Sequence, residues 1–355
     1  MSKAILVLPL IVIMLLTAIW SGWIRIGFSL PVSNVAAQHG TLMINGFLAS
    51  LIFLERAVTF KNKLVLLLPF VNSLSIAALI TGYSFIAQSI TIACSFGFLV
   101  MCAYFISQYK ELYYYVFFTG AFCLLTGNVI LQKTHLYPAA VTWWMNFLLF
   151  TIVAERLELS RFLPVNRTRQ ALLIIALSFI VISSFIPFHS DGNLAYAIAT
   201  SGVALWLLKY DMAFKSIRSK GQHRYSGLLL IIGYAWLLIT SILVLTEHLF
   251  AFGYDAVLHS FFIGFVFSMI FSHAPIILPA IAKLPLKIYR PILYVWFALL
   301  QISLVIRIIA DILIEVEIRK WAGFTNGIVI ILFFLTIAMI VRSELLNRKR
   351  RSIKA

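Results

Sequence analysis

The stretch HGTLMINGFLASLIFLERAV, residues 39–58, decides the fold, because no charged side chain interrupts it between His39 and Glu55. About 20 apolar residues in a helix cross the roughly 30 Å hydrocarbon core of a bilayer. Each such run is predicted to be a membrane-spanning helix, since lipid offers no partners to unpaired backbone groups. The runs of this kind are 4–26, 37–60, 64–83, 85–107, 112–132, 138–159, 169–188, 194–213, 225–247, 256–280, 288–314 and 322–346.

The overall composition supports the same conclusion. Of the 355 residues, 62% are hydrophobic and 11% are charged, with a mean hydropathy of +1.01, whereas soluble domains are roughly half apolar and about a quarter charged. The predicted fold class is an all-α membrane protein of about 12 transmembrane helices. Residues 1–346 form a single polytopic domain, and residues 347–355 form a basic cytoplasmic tail.

The basic residues predict the orientation. With the amino terminus inside, all but five of the 28 Lys and Arg residues fall on cytoplasmic segments, as the positive-inside rule requires. Both termini are therefore expected in the cytoplasm. The net charge of +16 arises from these loops, so the lipid bilayer is the expected partner and no nucleic acid is needed to explain it. The five remaining residues are Arg25, Lys133, Arg307, Arg319 and Lys320.

Three of the runs share a pattern. GFLASLIFLERAV (46–58) matches NFLLFTIVAERLE (146–158) with the Glu-Arg pairs in step, and GFVFSMIFSHAPI (264–276) follows with His273 in place of Glu55. The second, sixth and tenth helices then look like one element used three times. This predicts three four-helix units around a pseudo-threefold axis, although apolar helices can also match by chance.

Two intramembrane histidines are the main functional candidates. His39 and His259 each lie about one turn inside the outer end of an even-numbered helix, and such groups in a membrane are costly unless they have a role. Two imidazoles at one depth suit bis-histidine ligation of a haem iron. The small neighbours Gly40 and Gly264 would let a flat macrocycle approach. The alternative is that each histidine only forms hydrogen bonds near the interface.

Arg307 lies toward the outer end of the eleventh helix, with Asp311 one turn further on. An i,i+4 salt bridge between the two is one interpretation. The other is that Arg307 faces a haem propionate at the outer leaflet.

A further cluster is predicted at the inner ends of the repeated helices. Glu55, Glu155 and His273 hold equivalent repeat positions, and threefold packing would bring them together. Such a group could bind a metal or relay protons. Local ion pairs with the arginine that follows each glutamate are the alternative.

At HGTLMINGFLASLIFLERAV (39–58) and HSFFIGFVFSMIFSHAPI (259–276) the sequence resembles the NnrS family. These are polytopic haem- and copper-containing membrane proteins linked to the nitric oxide response, distantly similar to the catalytic subunit of haem-copper oxidases. The resemblance implies a haem b between His39 and His259, with Arg307 near its propionates. It also implies a bacterial-type cytoplasmic (inner) membrane and a role in redox chemistry or nitric oxide response.

The chain departs from the oxidase pattern in the sixth and seventh helices. VTWWMNFLLF (141–150) and ALLIIALSFIVISSF (171–185) contain no histidine, so oxygen reduction is not expected and copper lacks a ligand cluster. The alternative function is a secondary transporter of a small solute or ion, in which the intramembrane Glu, Arg and His line a path. A third hypothesis is an assembly or structural subunit. No motif in the sequence indicates an electron donor.

Overall fold

The structure is a computed structural model that describes residues 6–160, 166–281, 284 and 286–354, with side chains up to residue 348. Lys3, Arg161 and Lys283 lie outside the described residues, as do the side chains of residues 349–355 in the basic tail. The orientation with both termini in the cytoplasm rests partly on these basic residues, and it stays a prediction.

All regular secondary structure in the described residues is helical, and each long helix lies on one of the predicted runs. The predicted all-α fold is therefore confirmed. The long helices are α1 (Leu8–Arg25), α2 (Ser33–Ala57), α3 (Lys63–Ile80), α4 (Ser84–Tyr109), α5 (Leu112–Thr134), α6 (Tyr137–Ser160), α7 (Arg167–Ser183), α8 (Asn193–Tyr210), α9 (Gln222–Leu249), α10 (Gly253–Ile281), α11 (Ile292–Leu313) and α12 (Val316–Lys354).

Ten helices of the described chain are long and apolar enough to cross a membrane, which makes this an integral membrane protein. The two that fall short are α7, with 17 residues, and α8, with 18. Arg167 and Arg169 shorten the apolar part of α7 at its start. Lys209 shortens the apolar part of α8 at its end. The crossing of these two helices stays a prediction. The backbone of α12 continues as a helix to Lys354, through most of the predicted tail.

Helices that follow each other in sequence pack as neighbours, and α12 returns to contact α1. Large apolar side chains cover the outer faces: Phe185 is 73% exposed, and Ile175 and Ile182 are each 64% exposed. So much exposed apolar surface is unfavourable in water and is the surface that lipid covers.

The centre of the bundle is formed by three helices. In their apolar windows, 83% of α6, 67% of α10 and 61% of α2 is buried, more than for any other candidate span in the described chain. Phe47 of α2 stacks on Phe267 of α10 with ring centroids 6.2 Å apart, and α6 also contacts α10. The three helices that share the sequence pattern are therefore the most enclosed.

Both candidate histidines directly precede a π-helical segment. The segment Leu42–Ala49 begins three residues after His39, beyond the short α-helical turn His39–Thr41, and the segment Ser260–Val266 begins at the residue after His259. A π segment widens the helix and shifts the angular positions of the residues on either side, and such segments occur frequently at functional sites. These irregularities set the rotation of each histidine relative to the inner half of its helix.

Candidate functional site

The backbone of α1 holds His39. The Nδ1 atom of His39 lies 2.9 Å from the carbonyl oxygen of Ala18 and 3.2 Å from Ser21 Oγ. A carbonyl oxygen only accepts, so Nδ1 carries the proton and donates it to Ala18. The other ring nitrogen, Nε2, then keeps its lone pair in the neutral imidazole.

The Nδ1 atom of His259 is held in the same way, but by a residue of its own helix, α10. Its Nδ1 lies 2.9 Å from the carbonyl oxygen of Asp255 and 3.3 Å from Oδ2 of the same residue. Metal-bound histidines usually donate their second ring N–H to a carbonyl or carboxylate, which fixes the tautomer and the orientation of the ring. His39 and His259 are both anchored in this manner.

The free nitrogens of the two rings are available for a ligand. Neither Nε2 atom has a hydrogen-bond partner in the described part of the chain. The two imidazoles lie within electrostatic range of each other, and Arg25 and Arg307 lie within range of His39. The donor set therefore fits a group that takes two imidazole nitrogens and carries negative charge nearby.

Arg307 contacts Asp255 and not Asp311. Its Nη2 lies 2.9 Å from Asp255 Oδ2, and Arg319 Nη2 lies 3.2 Å from the same oxygen. Asp311 Oδ1 instead accepts from Arg319 Nε at 2.7 Å. The predicted salt bridge within α11 is replaced by pairs that join α10, α11 and α12, because arginine is long enough to reach a neighbouring helix. Asp255 thus connects His259 to the buried guanidinium group of Arg307 and the partly buried one of Arg319.

The small residues beside the histidines contact neighbouring helices. A Cβ atom on Gly40 would lie 3.1 Å from a ring carbon of Tyr137, and one on Gly264 would lie 2.6 Å from Trp236 Cγ. Both glycines therefore accommodate aromatic rings of the protein, and the prediction that they leave room for a macrocycle is wrong. The side chain of Trp236 occupies the space beside the π segment of α10.

The three inner residues predicted from the repeat do come together. Glu55, Glu155 and His273 line one cavity of about 730 Å³. Within the described residues, no group of three or more His, Cys, Asp or Glu side chains is arranged to hold a metal ion. The metal hypothesis for this cluster therefore gains no support from the geometry.

The ion pairs near this cavity connect different helices. Arg56 donates to Glu155 and to Glu158 of α6, each at 3.2 Å. Arg156 Nε donates to Asp211 Oδ1 at 3.0 Å, where the arginine and aspartate side chains are 6% and 1% exposed. The expected local pairs between adjacent residues are replaced because neighbours in a helix point to different faces.

His273 has both ring nitrogens engaged. Its Nδ1 lies 2.8 Å from the carbonyl oxygen of Met269, and Arg156 Nη1 donates to its Nε2 at 3.1 Å. His273 is therefore a neutral acceptor within the arginine network, and it differs in this respect from His39 and His259.

Asp255, Asp211 and Arg319 belong to these networks but were not predicted to do so from the sequence. The i,i+4 spacing of Asp255 and His259 is a signal that could have identified the first, because residues four apart lie on one helix face. Asp211 lies just beyond the end of α8, and Arg319 lies near the start of α12. Nothing in their sequence surroundings indicates which helix each one contacts.

His189 lies outside the helices, in the connection between α7 and α8. Its ring packs edge-on against Phe188 and Tyr254, and burial lowers the pKa of His189. The His189 imidazole is therefore neutral at pH 7 and contributes no charge to this end of the bundle.

A family model described as "Domain of unknown function (DUF8744)" matches residues 3–342, so the chain belongs to this family. No curated protein matches the chain. No solved structure matches it either. The family description states no activity, so the functional conclusion depends on the residues of the site.

Proposed function

We propose that this member of the DUF8744 family is a haem-binding integral membrane protein that takes part in redox chemistry, with His39 and His259 as the axial ligands of a haem b. A role in the nitric oxide response would follow from the resemblance to the NnrS family.

The observation that carries this proposal is the shared chemistry of the two imidazoles. Each donates from Nδ1 to a backbone carbonyl, at 2.9 Å in both cases, and each leaves Nε2 without a partner among the described residues. A satisfied structural histidine would be expected to use both nitrogens, as His273 does. Anchored rings with free lone pairs are what an iron with two axial imidazoles needs.

The charges at the outer ends of the helices are compatible with haem propionates. Arg307 is 5% exposed, and its Nε is buried without a hydrogen-bond partner in the described part of the chain. Arg307 would face a propionate while Asp255 holds its Nη2. Arg25 supplies a second cation within electrostatic range of His39. Copper is not part of the proposal, because the described residues offer no suitable ligand group.

A bound haem would supply one-electron redox chemistry. His39 and His259 would hold the haem, and electron transfer is the chemistry that it would supply there. Asp255 would keep the His259 ring oriented, and the carbonyl of Ala18 would do the same for His39.

The topology forms part of the same proposal. All twelve long helices would cross a bacterial-type inner membrane, with both termini in the cytoplasm and three four-helix units around a pseudo-threefold axis. The central positions of α2, α6 and α10, the three most buried spans of the described chain, support this arrangement.

The direct test is a reduced-minus-oxidised absorbance spectrum of the purified protein, with iron analysis on the same sample. We expect about one haem b per chain, from one bis-histidine site. His39→Ala and His259→Ala should each abolish the spectrum, whereas His248→Ala, at an exposed position near the outer end of α9, should leave it unchanged. A colourless protein, or spectra unaffected by the first two variants, would reject the proposal.

A secondary transporter is the second candidate. The cavity lined by Glu55, Glu155 and His273 favours it, since ionisable residues inside a membrane often mark a substrate path. Proteoliposomes that accumulate a substrate in response to a proton gradient, made from haem-free protein, would support this candidate over the haem proposal.

A further inference from the structure

The cavity of about 730 Å³ lies further along α2 and α10, away from His39 and His259. It extends along α2 from Phe47 to Glu55 and along α10 from Val266 to Pro279, between α1, α6 and α12. Phe47 is eight residues from His39, about 12 Å along the helix. Most of the lining is aliphatic or aromatic, and the volume is in the range of sites for small organic ligands, roughly 300–1,000 Å³. The body of a ligand in this cavity would be apolar.

The cavity opens to lipid between the first and last helices. Val12, Leu16 and Leu335 line it and are at the same time 42%, 44% and 51% exposed. Exposed apolar side chains on the outer face of a membrane protein lie against lipid chains. A ligand would therefore enter sideways from the membrane and would not need to cross water.

Polar groups without partners face this cavity. Thr151 is 2% exposed, and its Oγ1 has no hydrogen-bond partner in the described chain. Glu55 also forms no hydrogen bond or ion pair with any described residue. Glu155 accepts a hydrogen bond from Arg56 through Oε1, and its Oε2 accepts none from a described residue. Buried polar groups normally have partners. The buried, unpartnered hydroxyl of Thr151 and the free carboxylate oxygens of the partly exposed Glu55 and Glu155, on facing helices, point to a ligand that supplies hydroxyl donors.

We propose that this cavity binds a neutral, membrane-dissolved hydroquinone, an aromatic head with two hydroxyl groups on an apolar tail. One hydroxyl donates a hydrogen bond to the carboxylate of Glu55, and the other donates to Thr151 or Glu155 on α6. The tail lies along the apolar walls of the cavity and points toward lipid. The site goes beyond the proposed haem function and does not depend on it.

The charges around the cavity favour a neutral ligand over a lipophilic cation. Arg342 lines the cavity with its carboxylates, and Arg56 lies 3.2 Å from Glu155. An incoming cation would be repelled by the guanidinium group of Arg342 in the lining and by that of Arg56 beside Glu155, whereas a neutral hydroxyl donor can bond to the free oxygens of Glu55 and Glu155 without this repulsion.

The test is equilibrium binding to the purified protein in nanodiscs, measured by dialysis with chromatographic detection of the probe. Decylubiquinol should bind in a saturable manner. Decylubiquinone, which has the same ring and tail but no hydroxyl donors, should bind about tenfold more weakly, as should dodecanol with its single hydroxyl. Equal or tighter binding of dodecanol, of the quinone, or of tetraphenylphosphonium would overturn the assignment.

Matched variants locate the site. Thr151→Val and Glu55→Gln should each weaken decylubiquinol binding by about three- to tenfold. Thr142→Val is the control, because Thr142 is also on α6, is 1% exposed and has an unpartnered hydroxyl, but does not line the cavity. Equal effects of the two threonine variants would also overturn the proposal.

The same measurement on His39→Ala/His259→Ala protein separates this site from the haem. Binding that persists while the haem spectrum is absent supports the cavity site alone. Failure of decylubiquinol to bind a protein that carries haem overturns the cavity site and leaves the proposed function intact.

Discussion

At the scale of single residues, His39 is positioned by its hydrogen bonds and by the space that Gly22, which has no side chain, leaves for its ring. A Cβ atom on Gly22 of α1 would lie 2.9 Å from His39 Cε1 and 3.1 Å from Nδ1. The imidazole therefore lies directly over this glycine while its Nδ1 donates to Ala18, one turn earlier. One added methyl group would compete with the ring for the same space.

Gly22→Ala should lower the free energy of unfolding by about 1–3 kcal/mol, the usual cost of overpacking, and should reduce the amount of bound haem. The matched control is Gly202→Ala on α8, where the nearest atom to the new Cβ is Ala176 Cβ at 3.6 Å. That variant should be neutral or stabilising by about 0.5–1 kcal/mol, because alanine favours a helix over glycine. Thermal unfolding in detergent, followed by circular dichroism, measures both. Equal melting temperatures for the two variants would contradict the packing argument.

At the scale of helices, Arg156 holds together elements that are distant in sequence. From α6 it donates to Asp211, beyond the end of α8, and to His273 of α10. Tyr234 of α9 donates to the same carboxylate at 3.1 Å. The buried Arg156–Asp211 pair therefore connects four helical elements, namely α6, the end of α8, α9 and α10.

Arg156→Gln should lower the free energy of unfolding by about 3–5 kcal/mol, because Asp211 would be left as a buried, uncompensated charge. The control is Arg218→Gln, at an exposed position in the connection before α9, which should change the stability by less than about 0.5 kcal/mol. Chemical unfolding in mixed micelles gives both values. A double variant, Arg156→Gln with Asp211→Asn, should recover part of the loss, and no recovery would argue against the pair as the cause.

At the scale of the whole molecule, the open question is whether α7 and α8 cross the membrane. The three cysteines, Cys94, Cys102 and Cys123, are all buried, so an introduced cysteine can report the side of the membrane. Ser190, between α7 and α8, and Ser219, between α8 and α9, are both exposed.

With both termini inside and twelve crossings, Ser190→Cys should react with a membrane-impermeant maleimide added outside, while Ser219→Cys should react only after the membrane is opened. Labelling of intact cells or spheroplasts, compared with permeabilised ones, measures this. If α7 and α8 did not cross, the two positions would label from the same side.

The sequence by itself determined the helical class, the approximate positions of the long helices and their membrane setting. These properties follow from the length of apolar runs and from composition, because the thickness of the bilayer and the need to satisfy backbone groups act on each segment separately. The shared pattern in residues 46–58, 146–158 and 264–276 also predicted that Glu55, Glu155 and His273 lie together, and they line one cavity.

Only the tertiary structure decided which side chains meet. Arg307 pairs with Asp255 and not with Asp311, and a carbonyl of α1 holds His39. Helix rotation and the two π segments set these contacts, and hydropathy does not report rotation when most faces of a helix are apolar. A ligand site made of single atoms from several helices, such as Thr151 and Glu55 at the cavity, therefore becomes visible only once those helices are packed.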